Sequence, residues 1–343
     1  MNRNLDKISP YVISDRKYSS DMIYLDWNEG YDLESSVKLE IHKKISNLKW
    51  NQYPDLTSKE LLDGLSKYTN TDKEFIQVYN GSDSALDHTF RILLNDGDKV
   101  IIPAPNYSQI NQTITSLGGV IEYCDIGGLE ETIKKTENLK VVYISNPNNP
   151  MGYVYDIKPL VLKYPEVFFI VDEAYYEFSK QYSMFDSAYK YPNVIVTRTF
   201  SKALGLASVR LGYLTSNSYI VSKLSKIKNF KEVNQLAQIA GKVVLDNIDT
   251  IESGIERMKI IKQGFLRTIK GVRVYDSHSN FVLIEHPLVS DIISDLKKNN
   301  ILVRDRSDYI NNTMRITIGQ PEDMKTIAEI INKYSVWEQK YHL

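Results

Sequence analysis

The residues best suited to chemistry fall in five polar clusters, each of which follows a short apolar run. Lys202 ends the last cluster, and a lysine amine acts as a nucleophile toward carbonyl compounds where a pocket keeps it largely neutral. Asp172 ends another apolar run, and Arg210 follows Lys202 closely. The five clusters are Asn80-Gly81-Ser82-Asp83, Pro105-Asn106-Tyr107, Asn146-Pro147-Asn148-Asn149-Pro150, Asp172-Glu173-Ala174-Tyr175 and Arg198-Thr199-Phe200-Ser201-Lys202.

Seven β-rich runs must position these clusters. They alternate with helical stretches between about residues 46 and 220, as a mainly parallel sheet covered by helices requires. Several runs are continuously apolar, which is typical of strands buried on both faces. Ligands of such sheets bind beyond the carboxyl ends of the strands, so we expect the clusters to converge on one crevice. The predicted strands are 75–79, 98–104, 120–126, 140–145, 167–172, 193–198 and 210–215.

The pattern changes after about residue 222. Two long helical stretches, 222–246 and 250–270, precede a mixture of short strands and helices that predicts a small α+β domain. The sequence therefore predicts three segments. They are an N-terminal arm with part of the small domain at 1–45, a large cofactor-binding domain at 46–220 and a small C-terminal domain at 221–343.

The converging groups match the needs of one cofactor, pyridoxal 5′-phosphate. It requires a lysine that forms a Schiff base and a carboxylate that keeps the pyridine nitrogen protonated. Its phosphate requires backbone N–H groups at a helix N-terminus, hydroxyl groups and an arginine. These places are filled, in order, by Lys202, Asp172, the Gly81-Ser82-Asp83 turn and Arg210.

Longer motifs around these residues resemble the fold-type I aminotransferases, especially the histidinol-phosphate aminotransferase subgroup, to which threonine-phosphate decarboxylases are related. The resemblance extends from about Leu25 to about Gly319. It implies an α/β fold-type I architecture, with a mainly parallel seven-stranded sheet covered by helices and a smaller α+β domain. The motifs are WNQYPD, NGSDSAL, PNYS, NPNNPMG, VDEAYYEF, RTFSKALGLASVRLGY and MRITIG.

The resemblance also implies a role for each cofactor residue. Lys202, Asp172 and Tyr175 would take part in catalysis, with Lys202 as the Schiff-base lysine that later moves a proton between Cα and C4′. Asp172 would pair with the pyridinium nitrogen. The other implied contacts are Tyr175 and Asn149 at the phenolic oxygen, Tyr107 on the ring face, and Gly81, Ser82, Asp83, Thr199, Ser201 and Arg210 around the phosphate.

Four further residues are implied at the substrate. Arg315 would bind a substrate carboxylate bidentately, and Arg304 would contact a substrate phosphate, although the acidic residues that follow Arg304 leave simple ion pairing open. Tyr53 would reach into the site of a neighbouring subunit, which implies a homodimer. Asn28 lies in a segment that borders the substrate in this family, and here that segment departs from the usual Asn-Glu-Asn-Pro pattern.

The predicted function is a pyridoxal-phosphate-dependent aminotransferase that exchanges an amino group between glutamate or 2-oxoglutarate and a small phosphorylated substrate of the histidinol-phosphate type. A decarboxylase of phosphothreonine or phosphoserine is an alternative, because the motifs do not report which Cα bond stands perpendicular to the ring. A non-catalytic pyridoxal-binding protein is a second alternative. Such proteins usually carry an added DNA-binding domain, for which we expect no room here.

Composition excludes several other classes. With 42 basic and 43 acidic side chains in 343 residues, the charge balance favours neither nucleic acid nor an anionic membrane as a partner. A single cysteine, Cys124, excludes an internal disulfide, and the five histidines show no metal-ligand spacing, so no metal is predicted. No apolar run approaches the roughly 18 residues of a membrane span, and the polar start lacks a secretory signal, so we expect a cytoplasmic protein.

Overall fold

The structure is a computed structural model that describes residues 3–8 and 19–335. The predicted segments 1–45 and 221–343 therefore lie partly outside the described residues. The helices are Ser35–Ile45 (α1), Lys59–Thr69 (α2), Gly81–Leu93 (α3), Gln109–Ser116 (α4), Leu129–Lys135 (α5), Lys158–Lys163 (α6), Ser218–Ser225 (α7), Gln235–Asp246 (α8), Ile248–Thr268 (α9), Val289–Lys298 (α10) and Pro321–Asn332 (α11). The strands are Ile23–Tyr24 (β1), Ile76–Tyr79 (β2), Lys99–Pro103 (β3), Val120–Cys124 (β4), Leu139–Ser145 (β5), Phe168–Asp172 (β6), Val194–Thr199 (β7), Gly212–Thr215 (β8), Arg273–Tyr275 (β9), Phe281–Glu285 (β10), Ile301–Leu302 (β11), Arg304–Asp305 (β12) and Thr313–Thr317 (β13).

Seven strands form one central sheet in the order β2-β8-β7-β6-β5-β3-β4. Only β8 runs against its neighbours in this sheet, since it pairs antiparallel with both β2 and β7 while the remaining pairs are parallel. The prediction of a mainly parallel seven-stranded α/β sheet is confirmed. Because β2, β3, β5, β6 and β7 share one direction, the five polar clusters that follow them meet at one edge of the sheet.

The sheet is buried on both faces, which explains its apolar strands. In β5, Val142 and Ile144 belong to one hydrophobic cluster, whereas Val141 and Tyr143 belong to a second cluster on the opposite face. This alternation follows from the two-residue period of a strand. Helices α3, α4 and α7 contribute to the second cluster, and α2 and α8 contribute to the first.

A second, antiparallel sheet in the order β12-β13-β10-β9 forms the core of the C-terminal part together with α9, α10 and α11. The N-terminal segment joins this region, because β1 pairs with β11 in parallel. Helix α8 packs against α1 and α2. The division of the chain at residues 45/46 and 220/221 stays a prediction.

The predicted helix over 222–246 is wrong in its continuity, since α7 ends at Ser225 and α8 begins at Gln235. Two asparagines account for the interruption. The side chain of Asn229 accepts the Lys231 N–H at 3.0 Å, and that of Asn234 caps α8 by accepting the Ala237 N–H at 2.8 Å. Such local bonds compete with continued helix. None of the helices in the described ranges is both long and apolar enough to span a membrane.

Candidate active site

A cavity of about 690 Å³ opens beyond the carboxyl ends of the sheet strands. It brings together thirteen of the fifteen residues that the sequence singles out. Gly81 lies just behind the wall, and Tyr53 lies outside. The thirteen are Asn28, Ser82, Asp83, Tyr107, Asn149, Asp172, Tyr175, Thr199, Ser201, Lys202, Arg210, Arg304 and Arg315.

Lys202 follows β7 and presents its amine to the cavity. The amine donates a hydrogen bond to the Trp27 carbonyl at 2.7 Å and forms no ion pair within residues 3–8 and 19–335. Burial, together with the positive charge of Arg315, lowers the pKa of Lys202 to about 8. A substantial neutral fraction is therefore present near neutral pH, which is what attack on a carbonyl requires.

Asp172 ends β6 in a buried position between two neighbouring strands. Its carboxylate accepts hydrogen bonds from the Tyr143 hydroxyl at 3.0 Å and the Thr197 hydroxyl at 3.1 Å. No cation of the described chain pairs with it, and burial raises its pKa to about 6. A buried carboxylate held by neutral hydroxyl groups and the Ala174 backbone N–H fits the protonated nitrogen of a pyridine ring, which would supply the missing charge.

The start of α3 leaves space for an anion. Gly81 has a φ of +81°, and a Cβ at this position would lie 2.6 Å from the Arg210 guanidinium. A Cβ on Gly212 of the adjacent strand β8 would lie 2.3 Å from the Ser82 backbone nitrogen. The N–H groups of a first helical turn lack intrahelical partners, so this cradle fits a phosphate.

Arg210 and two hydroxyl residues complete that end of the cavity. The Arg210 guanidinium donates to Ser201 Oγ at 3.2 Å and to the Asp83 carboxylate at 3.1 Å. Thr199 Oγ1 accepts the Ser201 N–H at 3.1 Å. These contacts hold the arginine against the helix start, where it would add a charge-assisted bond to a bound phosphate.

Two tyrosines and an asparagine form the central part of the cavity. The Tyr107 hydroxyl donates to Asp83 at 3.1 Å, and burial raises the pKa of Tyr107. The Tyr175 hydroxyl accepts a hydrogen bond from Asn28 at 2.9 Å, and the Tyr175 ring packs edge-on against Phe281. Burial also raises the pKa of Tyr175, which Arg315 opposes. Tyr175 therefore remains protonated at neutral pH and can donate a hydrogen bond into the cavity.

The far wall of the cavity is cationic. Arg315 on β13 donates to Asn149 Oδ1 at 2.6 Å and to the Asp26 carbonyl at 2.7 Å. Arg304 on β12 lies directly opposite Arg315 in the strand register. Burial lowers the pKa of Arg315 to about 10, and repulsion from Arg306 and Arg304 contributes.

The structure adds wall residues that the sequence reasoning did not select. Arg306 could have been found from its spacing, since it lies two residues after Arg304 and alternate strand residues share a face. Asn106, Ser108 and Ala174 fall in the PNYS and VDEAYYEF motifs but were assigned no role. The additions besides Arg306 are Trp27, Asn106, Ser108, Gln109, Asn111, Gln112, Ser145, Ala174 and Asp308.

Tyr53 is not brought to the cavity of its own chain. Its side chain is 76% exposed, and the Lys231 amine lies 4.1 Å from its ring centroid. Its predicted place in a neighbouring subunit's site stays a prediction. Across the described ranges, no group of three or more His, Cys, Asp or Glu side chains could hold a metal ion.

The chain is similar to known aminotransferases. The family model "Aminotransferase class I and II" matches residues 20–331. The chain is 33% identical to a dihydroxyacetone phosphate transaminase of Campylobacter jejuni, covering 100% of this chain and 99% of that protein. It is 32% identical to a histidinol-phosphate aminotransferase of Clostridium novyi, covering 96% of this chain and 95% of that protein.

A solved structure shares the fold. It is a histidinol-phosphate aminotransferase of Sinorhizobium meliloti in complex with pyridoxal-5′-phosphate, with a TM-score of 0.87, 23% identity and 98% of each chain covered. The family model and the two curated relatives each span nearly the whole described fold. The chain therefore belongs to the class I and II aminotransferases, is similar within them to the histidinol-phosphate aminotransferases, and is an enzyme whose cofactor is pyridoxal 5′-phosphate.

Proposed function

We propose that this enzyme transfers an amino group between glutamate or 2-oxoglutarate and a small phosphorylated substrate. Histidinol phosphate and dihydroxyacetone phosphate, the compounds named for its relatives, are the two leading candidates. The observation that carries the proposal is the cross-strand pair of Arg304 and Arg315 on one wall of the cavity.

Like charges directly opposite each other weaken a sheet, so this arrangement has a cost that bound anions would offset. Glutamate brings two carboxylates, and an arginine binds a carboxylate bidentately. Arg315 is buried and oriented by Asn149, which suits it to the carboxylate next to the reacting carbon. Arg304 lies beside it and suits the distal carboxylate of glutamate or the phosphate of the second substrate.

When bound, pyridoxal 5′-phosphate supplies an electron sink for the substrate carbon. Lys202 would hold the cofactor through its amine and, once the substrate amine has displaced it, move a proton between the substrate Cα and C4′ of the cofactor, because its lowered pKa suits both roles. Asp172 would keep a proton on the ring nitrogen. Tyr175 would donate a hydrogen bond to the phenolic oxygen, held in place by Asn28.

The proposed active unit is a homodimer in which Tyr53 contacts the cavity of the other subunit. The exposure of this large side chain supports the proposal, since an exposed aromatic ring beside other apolar side chains favours an interface. Trp50 at 72% exposure and Leu56 at 48% lie close to Tyr53 in the chain.

The half-reaction with glutamate tests the proposal. The purified holoenzyme is mixed with glutamate while its absorption spectrum and the 2-oxoglutarate released are followed. We expect the visible band of the cofactor to disappear, a near-ultraviolet band to grow, and dihydroxyacetone phosphate or another phosphorylated carbonyl compound to restore the first spectrum. An unchanged spectrum, with carbon dioxide released from phosphothreonine or phosphoserine, would replace transamination with decarboxylation.

A further inference from the structure

We propose that Arg306 is a specificity-determining residue that binds the phosphate of the phosphorylated substrate and favours it over a carboxylate. The inference rests on the proposed function, because it assigns a further residue to the substrate end of the same cavity. Arg306 lines the cavity and is not among the residues assigned to the cofactor.

The strand geometry places Arg306 beside the cross-strand arginine pair. The Arg306 N–H donates to the Thr313 carbonyl at 2.9 Å, which continues the antiparallel pairing of β12 with β13. Side chains two residues apart along a strand lie on the same face. Arg304 and Arg306 accordingly both line the cavity, whereas the intervening Asp305 is exposed and does not.

Three arginines lie together on this wall. Repulsion from both Arg306 and Arg304 lowers the pKa of Arg315, so the three guanidinium groups are close enough to interact. Asp308 also lines the cavity, and its Oδ1 lies 3.6 Å from Arg306 Nε. The Asp308 side chain is 61% exposed, so solvent weakens this ion pair. The wall therefore suits a ligand with more than one negative charge.

Arg306 is also held in place before any ligand arrives. Its side chain is only 11% exposed, and its guanidinium carbon lies 4.0 Å from the ring centroid of Tyr309. The turn that follows is fixed by a hydrogen bond from the Tyr309 N–H to the Arg306 carbonyl at 2.9 Å. A side chain that is already ordered loses less entropy when it binds a ligand.

A second guanidinium beside Arg304 strengthens the binding of a phosphate more than the binding of a carboxylate. A phosphate monoester carries a charge of about −1.5 to −2 at pH 7 and has three acceptor oxygens. A carboxylate has one charge and two oxygens, which one arginine occupies bidentately. Arg304 alone can satisfy a distal carboxylate, so Arg306 adds most of its effect when the ligand is a phosphate.

The test measures binding to the holoenzyme without turnover, by calorimetric titration with glycerol 3-phosphate and with glutarate. Arg306→Gln should weaken the binding of glycerol 3-phosphate on the order of 10- to 100-fold, which corresponds to the loss of a hydrogen bond to a charged group. The binding of glutarate should weaken less than about threefold, which is the range for loss of an exposed ion pair. Arg273→Gln is the matched control, because Arg273 is a 69%-exposed arginine outside the cavity, and it should change neither value.

A second variant gives an effect of the opposite sign. Asp308→Asn removes the competing carboxylate, and we expect glycerol 3-phosphate to bind about two- to fivefold more tightly. A purely structural role for Arg306 would not produce that gain. The inference would be overturned if Arg306→Gln weakened the binding of both ligands equally. It would also be overturned if Asp308→Asn did not tighten the binding of glycerol 3-phosphate. Failure of the glutamate half-reaction would contradict the proposed function instead. The binding comparison can still be interpreted in that case, because it is measured without turnover.

Discussion

The Glu173 carboxylate and the Arg198 guanidinium form a buried ion pair of 2.8 Å. Glu173 directly follows Asp172 at the end of β6, and Arg198 lies on β7, which leads to Lys202. The guanidinium also lies 3.4 Å from the ring centroid of Tyr176. The pair thus joins the ends of the two strands that carry the central acid and the central lysine of the site.

Breaking this pair should destabilise the protein strongly. Arg198→Met leaves the Glu173 charge buried without its cation, and we expect a loss of about 3–5 kcal/mol in the free energy of unfolding. Chemical denaturation measures it. The double variant Glu173→Gln with Arg198→Met, which removes both charges, should recover part of the loss. A single variant within about 1 kcal/mol of the parent protein would contradict the importance of the pair.

A methyl group at Gly81 should weaken cofactor binding through Arg210. The added Cβ would lie 2.6 Å from the guanidinium, so the arginine must move away from the helix start. Gly97→Ala is the control, because Gly97 has a similar φ of +85° with nothing within 4 Å. Both variants should lose about 1–2 kcal/mol of stability from the left-handed backbone. Only Gly81→Ala should raise the Kd for pyridoxal phosphate; equal Kd values for the two variants would argue against the cradle.

The rate of cofactor capture by the apoenzyme should depend on pH through Lys202. Its pKa is lowered from 10.5 to about 8, so the fraction of reactive neutral amine rises steeply through about pH 8 and levels off above about pH 9. At pH 7 about one amine in ten is neutral, against about one in three thousand for an ordinary lysine. Stopped-flow absorbance between pH 6 and 10 measures the rate, with Nα-acetyl-lysine as reference. A rate that keeps rising above pH 9, as the reference does, would contradict this pKa.

Tyr53 should act across the dimer interface. We predict that Tyr53→Ala lowers activity, while Tyr219→Ala, which removes a comparably exposed tyrosine, does not. A hybrid dimer of a Tyr53→Ala chain and a Lys202→Ala chain contains one intact site if Tyr53 serves the partner. It should then show about half of the parent activity per dimer. An inactive hybrid, or a monomer in sedimentation, would contradict the proposal.

The sequence predicts the sheet well because burial on both faces leaves continuous apolar runs such as 140–145 and 167–172. Such runs do not indicate the direction of a strand, so the sequence does not predict that β8 is antiparallel to its neighbours. The break in the predicted helix over 222–246 was missed because two asparagine side chains, not a Gly or Pro, interrupt it. Asn229 and Asn234 interrupt the helix because their side chains accept backbone N–H groups, which a sequence pattern does not report.

The site was predicted best where a motif fixes both residue and backbone, as at Lys202 and Asp172. The lowered pKa alone does not identify the lysine, since burial also lowers the pKa of Lys228 and Lys262 to about 8. Neither of these lines the cavity. Asn106, although it stands in the PNYS motif, and Asn111 were assigned no role, because their part in the site depends on how the loop after β3 and the start of α4 are placed. Their buried Oδ1 atoms lack protein partners within the described ranges.

The role of Lys202 is tested by locating the covalent bond between the protein and the cofactor. The holoenzyme is reduced with borohydride, digested and analysed by mass spectrometry. We expect a single modified peptide carrying pyridoxyl phosphate on Lys202, and no adduct in Lys202→Ala. An adduct on Lys228, Lys262 or any other lysine, or an adduct that survives Lys202→Ala, would contradict this role.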